Sequence, residues 1–166
     1  LPEATGPLLV HRLDMSTSGL LLVAKNARTH KNLQKQFINR TIKKRYIAVL
    51  NGVVETREGG IDLPLRVDLN NRPRQLVCYE YGKPAKTKYK VIETKANTTR
   101  IYFYPVSGRT HQLRVHAAHH LGLNAPIVGD DLYGTIAKRL HLHAEYISFE
   151  HPVKKEQVSF TCEPPF

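Results

Sequence analysis

The sequence predicts an α+β fold, a mainly antiparallel mixed sheet with flanking helices. Three observations predict it: short apolar or alternating runs that end at turn residues, strands that return through hairpins, and two stretches with helical spacing between them. A chain of 166 residues suits one domain spanning residues 1–166, burying roughly 70% of the surface it would expose unfolded. No repeat, low-complexity tract or linker divides it.

The elements follow in order. Leu20 to Ala24 is a continuous apolar run after Gly19, the pattern of a strand covered on both faces. Asn26 can cap a helix running to about Asn39, with Leu33 and Phe37 four apart on its inner face and Lys31 and Lys35 pointing elsewhere. Tyr46 to Leu50 is apolar and partly β-branched, and Asn51-Gly52 supplies a turn. Lys86, Lys88 and Lys90 alternate with Thr87, Tyr89 and Val91, which sends three ammonium groups to one face of a strand. Asn97-Thr98-Thr99 then turns the chain back through Ile101 to Tyr104. A second helix is expected from Thr110, its candidate cap, to about Leu121, with Leu113, Ala117 and Leu121 in one stripe and Gly122 past its end. Ala144 to Phe149 and Gln157 to Cys162, around His151-Pro152, read as a last strand pair.

Composition narrows the partners. Lys and Arg number 25 against 14 Asp and Glu, a formal net charge of +11; a polyanion is the natural partner, and the charge alone says nothing about chemistry. The longest aliphatic run, Leu20 to Ala24, is too short to span a bilayer, and no leader precedes it. Cys78 and Cys162 lie far apart and outside any C-x-x-C pairing, as expected of a reducing, cytoplasmic setting. Nine histidines raise the question of a metal. His116 and His120 stand one helical turn apart, yet the stretch lacks the glutamate and third ligand of an H-E-x-x-H site, so no metal or other cofactor is expected. Nothing demands more than a monomer.

Two polar stretches are candidates for chemistry. Asp14, in His11-Arg12-Leu13-Asp14-Met15-Ser16-Thr17-Ser18-Gly19, puts a carboxylate in a turn just ahead of a buried segment; alone, such an Asp is more often a turn-former. Ser107 to His116 leads through a turn into the first turns of a helix and carries Arg109 and Arg114. A guanidinium there could bind RNA phosphate or pair with a carboxylate, and both options stay open on these residues alone.

Together the stretches resemble a known family. HRLDMSTSGLLLVAK from His11, RYIAVLNG from Arg45 and SGRTHQLRVH from Ser107 are similar, in order and spacing, to the three motifs of the pseudouridine synthases typified by ribosomal large subunit synthase A. GKPAKTKYKV from Gly82, PIVGDDLYG from Pro126 and RLHLHA from Arg139 extend the likeness over nearly the whole chain. Ser107 stands where the motif usually has Thr, a change that keeps the hydroxyl. The family carries more sequence ahead of the aspartate motif, so the resemblance implies an N-terminally incomplete catalytic domain.

The resemblance also implies a reaction: the glycosidic bond of a uridine in RNA is broken, the base turned, and ribose C1′ rejoined to C5. Asp14 would be the catalytic carboxylate, whether it attacks the sugar or assists elimination. Arg114 would hold Asp14 ionised and oriented through its planar fork, and Tyr46 would lie against the base and is a candidate to help remove the C5 proton. The RNA, ribosomal or transfer, would present its uridine in a loop or bulge, where leaving the stack costs least. It would meet His11, Arg12 and Thr17 of the first motif, Arg109, His111 and Gln112 of the third, and Lys86 and Lys88 of the lysine face. Arg12 is the group expected to fill the space left by the flipped base. The competing reading is an RNA-binding or ribosome-assembly protein of the same fold without turnover.

Overall fold

Residues that alternate between charge and hydrocarbon can satisfy both only as a strand with one wet face, and the Lys86 segment does this over the longest strand of the fold. The computed structural model describes residues 8–166. Its elements are β1 (Ser18–Gly19), α1 (Ala27–Ile38), β2 (Lys43–Asn51), β3 (Glu58–Asp62), β4 (Leu65–Val67), β5 (Gln75–Val77), β6 (Lys86–Lys95), β7 (Thr98–Pro105), α2 (Gln112–Ala118), β8 (Leu142–Glu150) and β9 (Gln157–Thr161). Seven strands form one sheet in the order β1-β8-β2-β7-β6-β3, with β9 also on β8, while β4 and β5 form a separate hairpin. Every pairing is antiparallel except β1 with β8, so the sheet is mixed and mainly antiparallel.

One face of this sheet is the core. Ala48 and Leu50 of β2, Tyr89 and Val91 of β6, Ile101 and Phe103 of β7 and Leu142 of β8 pack with Leu113 and Ala117 of α2. Helix α1 covers the other end with Leu33 and Phe37 against Ile147 and Phe149 of β8. Its start is as expected: Asn26 Oδ1 accepts the Thr29 amide at 2.9 Å, a side-chain cap on an otherwise orphaned donor. Gly59 lets β3 pass under Tyr89, since a Cβ there would lie 2.9 Å from the phenol oxygen.

Two expectations are corrected. Leu20 to Ala24 is not a strand covered on both faces: the sheet strand is the two-residue β1 just before it, and Leu21 and Val23 are 46% and 44% exposed while Ala24 is buried. The segment has one covered side, and only Val23 makes an isolated bridge, to Leu9. The second helix is shorter than Thr110 to Leu121, because His111 takes a left-handed conformation (φ 53°) and the helix begins at Gln112. At the other end the chain leaves the helix at His119, which is extended, and Leu121 is exposed. The strands β3, β4 and β5 add to the expected set.

Candidate active site

The short β1 strand fixes the first motif. The Thr17 amide donates to the Asp14 carbonyl at 2.9 Å, closing a turn, and Ser18–Gly19 then pairs in parallel with His143–Ala144 of β8. Gly19 is required: its φ is +111° and a Cβ would stand 2.3 Å from the Ala144 carbonyl oxygen, closer than any side chain can approach. Ser18 Oγ is held between His143 Nδ1 and Arg139 Nη2, each at 2.8 Å. His11 Nε2 accepts the Leu22 amide at 2.9 Å and stacks on Phe37, centroids 5.0 Å apart. The loop bearing Asp14 is therefore tied to the sheet and to α1.

Tyr46 reaches the same place from β2. The pairing of β2 with β8 shifts register between Arg45 and Tyr46, a bulge of the kind that re-aims neighbouring side chains. A cleft of about 780 Å³ opens there, lined by Asp14, Tyr46, Leu13, Thr17, Leu113, Leu142, Gln112 and Ser107, and rimmed by Arg12, Arg40, Lys43, Lys44, Arg45, Lys88 and Arg109. Burial, and next the charge of Asp14, push the Tyr46 phenol up to about 12, so it stays protonated at neutral pH. The Asp14 carboxylate has no hydrogen bond or ion pair among the described residues. Burial lowers the Lys44 ammonium, which stands over the Phe37 ring. His11 is lowered to about 4, by burial first and by Lys44 second, with a backbone hydrogen bond at Arg12 acting the other way. His11 is thus neutral at pH 7.

Arg114 does not make the expected pairing with Asp14. Its Nε and Nη2 donate to Asp130 Oδ2 and Oδ1 at 2.8 and 2.6 Å, and Nη2 also reaches Asp131 Oδ1 at 2.7 Å. Burial penalises this guanidinium, but the hydrogen bonds and charges of Asp130 and Asp131 outweigh it and raise it further. Helix α2 points Arg114 inward, and the loop after α2 supplies both acids. The cleft wall does not include Arg114. The guanidinium lies 5.3 Å from the Tyr133 ring centroid and Tyr133 OH meets His111 Nδ1 at 2.8 Å; burial lowers the His111 imidazole, with the charge of Asp14 acting the other way.

The remaining residues sort by what is left of their polar atoms. Arg12, Thr17 and Lys88 line the cleft, as does Arg109, whose Nε donates to the Pro84 carbonyl. Gln112 lines it too, but its amide is fully engaged: Oε1 accepts Ser107 Oγ and the Arg109 amide, and Nε2 donates to Lys86 O and Thr87 Oγ1. It shapes the Ser107–Thr110 loop. His111 is buried against Tyr133, and Lys86 lies 3.5 Å from Asp62 outside the cleft lining. His116 is packed between Thr87 Oγ1 and Leu63 O, which occupies both ring nitrogens. Among the described residues no group of three or more His, Cys, Asp and Glu gathers as for a metal ion, and no helix is long and apolar enough to cross a membrane.

Sequence reasoning missed Lys43, Lys44, Arg45, Tyr104 and Tyr146 in the cleft. The basic run Lys43-Lys44-Arg45 just ahead of Tyr46 was the available signal. Asp130 was within a recognised stretch, but nothing local marks it as the partner of Arg114.

Comparison with known proteins accords with this architecture. The family model described as RNA pseudouridylate synthase matches residues 2–119. The dual-specificity RNA pseudouridine synthase RluA of Haemophilus ducreyi is 48% identical over 165 residues, covering 94% of this chain and 73% of the relative. RluA of Escherichia coli is 45% identical over 163 residues, 95% of this chain and 73% of the relative. Among solved structures, human RNA pseudouridylate synthase domain containing 1 superposes with a TM-score of 0.83 at 31% identity, over 97% of this chain and 70% of that one. The chain belongs to the RNA pseudouridylate synthase family, isomerases that turn uridine in RNA into pseudouridine.

Proposed function

We propose that residues 8–166 form one catalytic unit that isomerises a loop or bulge uridine of ribosomal or transfer RNA, with Asp14 as the reacting carboxylate. The observation that carries this reading is the convergence of Asp14 and Tyr46 on one basic-rimmed cleft. The N1–C1′ bond breaks with its electron pair leaving on uracil, and Asp14 captures or shields the electron-poor C1′. After the base turns, C5 bonds to C1′ as any Asp14–C1′ bond breaks and returns its electron pair to the carboxylate, the C5 proton departs and N1 takes up a proton, so the product is an isomer and no oxidant or hydrolytic water is consumed. Tyr46, a phenol protonated well past neutrality, suits packing against the uracil better than accepting the C5 proton as a phenolate. Arg12, exposed on the rim, is the residue to fill the gap left by the flipped base. Arg114 acts as a positioning residue through Tyr133 and His111. The two cysteines are unpaired, which supports work in the reducing cytoplasm, and the unit needs no second copy to complete the cleft.

The test is tritium release from RNA labelled at uridine C5, read beside RNA affinity. Asp14→Ala should abolish release and keep binding. Release by that variant would remove Asp14 from the chemistry, and binding without release by the wild-type chain would favour the non-catalytic reading. Unchanged flipping by Arg12→Ala, reported by a fluorescent base analogue at the target, would remove Arg12 from its role.

A further inference from the structure

Both helices pack on one side of the sheet, and the opposite side carries a pattern the cleft does not account for. Antiparallel partners point the same way, so the pairs Lys88 with Tyr104 and Lys90 with Tyr102, Ile47 with Tyr102 and Arg45 with Tyr146 bring β6, β7, β2 and β8 to one surface. Arg45 is clasped there between aromatic rings, 4.5 Å from the centroid of Tyr102 and 5.2 Å from that of Tyr146, and is fixed by Glu145 at 2.6 Å. Tyr102 and Tyr104 stand edge to face with centroids 6.3 Å apart. Both tyrosines are partly buried, and Lys88 and Lys90 stand in solvent. Glu58 lies beside Lys90 and Asp62 beside Lys86, so the acids sit on the β3 edge and leave the β6–β7–β2 strip basic and aromatic. Lys88, Arg45, Tyr104 and Tyr146 also line the cleft, which makes the strip and the active site one continuous surface.

We propose that this sheet face is a second contact surface for the substrate, binding the single-stranded RNA that flanks the target uridine. Bases stack on Tyr102 and Tyr104, and phosphates meet Lys88 and Lys90, which repeat every about 6.8 Å along an antiparallel strand. Phe166 packs on Arg100, His141 and His143 farther along the same face and Ile47 is buried, so the accessible part is the β6–β7 side, where interleaved cations and aromatic rings are the chemistry a single strand needs and the chain's net charge of +11 draws a polyanion. The inference rests on the catalytic reading for the word substrate, but the surface itself can be tested without turnover.

Lys90 and Tyr102 belong to the strip but not to the cleft lining, so they isolate it. The probe is a fluorescein-labelled oligouridylate 12-mer, titrated over a range of salt with wild-type chain, Lys90→Gln, Tyr102→Leu and the double variant. Lys90→Gln should lower the slope of log affinity against log salt by about 0.7, and Tyr102→Leu should weaken binding by about tenfold. Michaelis constants for C5-tritiated cellular RNA should rise in parallel. Tyr102→Leu also loosens Arg45, so Lys90→Gln, whose side chain stands in solvent, keeps the test decisive if the tyrosine variant fails to fold. Affinity and salt slope unchanged in both variants would overturn the proposal. If the wild-type chain releases no tritium while the binding effects appear, the catalytic reading fails and the surface stands; loss of the effects with intact turnover gives the reverse.

Discussion

Removing Asp130 should unfold this enzyme at a temperature lower by about 10 °C. The Asp130 side chain is 0% exposed and its partner Arg114 only 4%, so Asp130→Ala strands a guanidinium that water cannot reach. Breaking one half of a buried pair costs about 3–5 kcal/mol. Two corrections act in opposite directions. Asp131 still holds Nη2 at 2.7 Å but is 57% exposed, which offsets part of the loss. Asp130 Oδ1 also accepts the Leu132 and Tyr133 amides, each at 3.0 Å, and each such bond contributes about 1 kcal/mol. The net is about 3–5 kcal/mol, and a domain of this size loses about 2–4 °C per kcal/mol. Urea and thermal unfolding of Asp130→Ala measure it directly. A second arm separates the pair from the turn: in Arg114→Met with Asp130→Leu no charge is stranded, and most of the loss should return. A loss under about 1 kcal/mol in the single variant, or no recovery in the double, would refute the claim that this ion pair holds the base of the site.

Other outcomes follow from the same geometry. Gly19→Ala places a methyl on the Ala144 carbonyl; it should lower both stability and kcat by detaching the Asp14 turn, read as tritium release beside thermal melting. Gln112→Ala takes one donor from the Lys86 carbonyl, which keeps the Val106 amide, and one from the Thr87 hydroxyl, which keeps His116, a loss of about 1–2 kcal/mol in urea unfolding. Tyr46 is raised in the fold to about 12 from 10.0, so the unfolded chain gives up its proton first; stability is whole below pH 10, falls towards pH 12 by on the order of 2 kcal/mol, and Tyr46→Phe should flatten that limb. His11 is lowered to about 4 from 6.5, so the unfolded chain binds the proton first. That contribution is present above pH 6.5 and is lost as pH falls to about 4; in His11→Gln the acid limb of the stability profile should be shallower.

What the sequence made legible follows from how local each signal is. The β6 alternation and the Asn26 cap of α1 depend on side chains within a few positions of one another, and both appear in the fold as expected. The second helix was overextended because the stripe Leu113, Ala117, Leu121 is a statement about spacing, whereas the ends are set by backbone: His111 turns left-handed and His119 turns extended, and neither residue type announces it. Leu20 to Ala24 misled for a related reason, since an apolar run records that its side chains avoid water but not on how many sides. The site divides the same way. Asp14 and Tyr46 stand in motifs whose surroundings hold them at the cleft, so naming the motif came close to naming the place. Arg114 is different, because a guanidinium pairs with whichever carboxylate the fold brings within reach, and here that is Asp130. Asp130 sits on the loop after α2, fully buried, with Oδ1 also accepting two amides of that loop, so the loop backbone anchors it as well as Arg114. An arginine so held is rigid; it lies against the ring of Tyr133, whose hydroxyl meets His111, and it does not line the cleft. Replacing Arg114 by Lys, which keeps the charge but loses the fork, should therefore disturb the melting temperature and the His111 resonance before it disturbs RNA affinity.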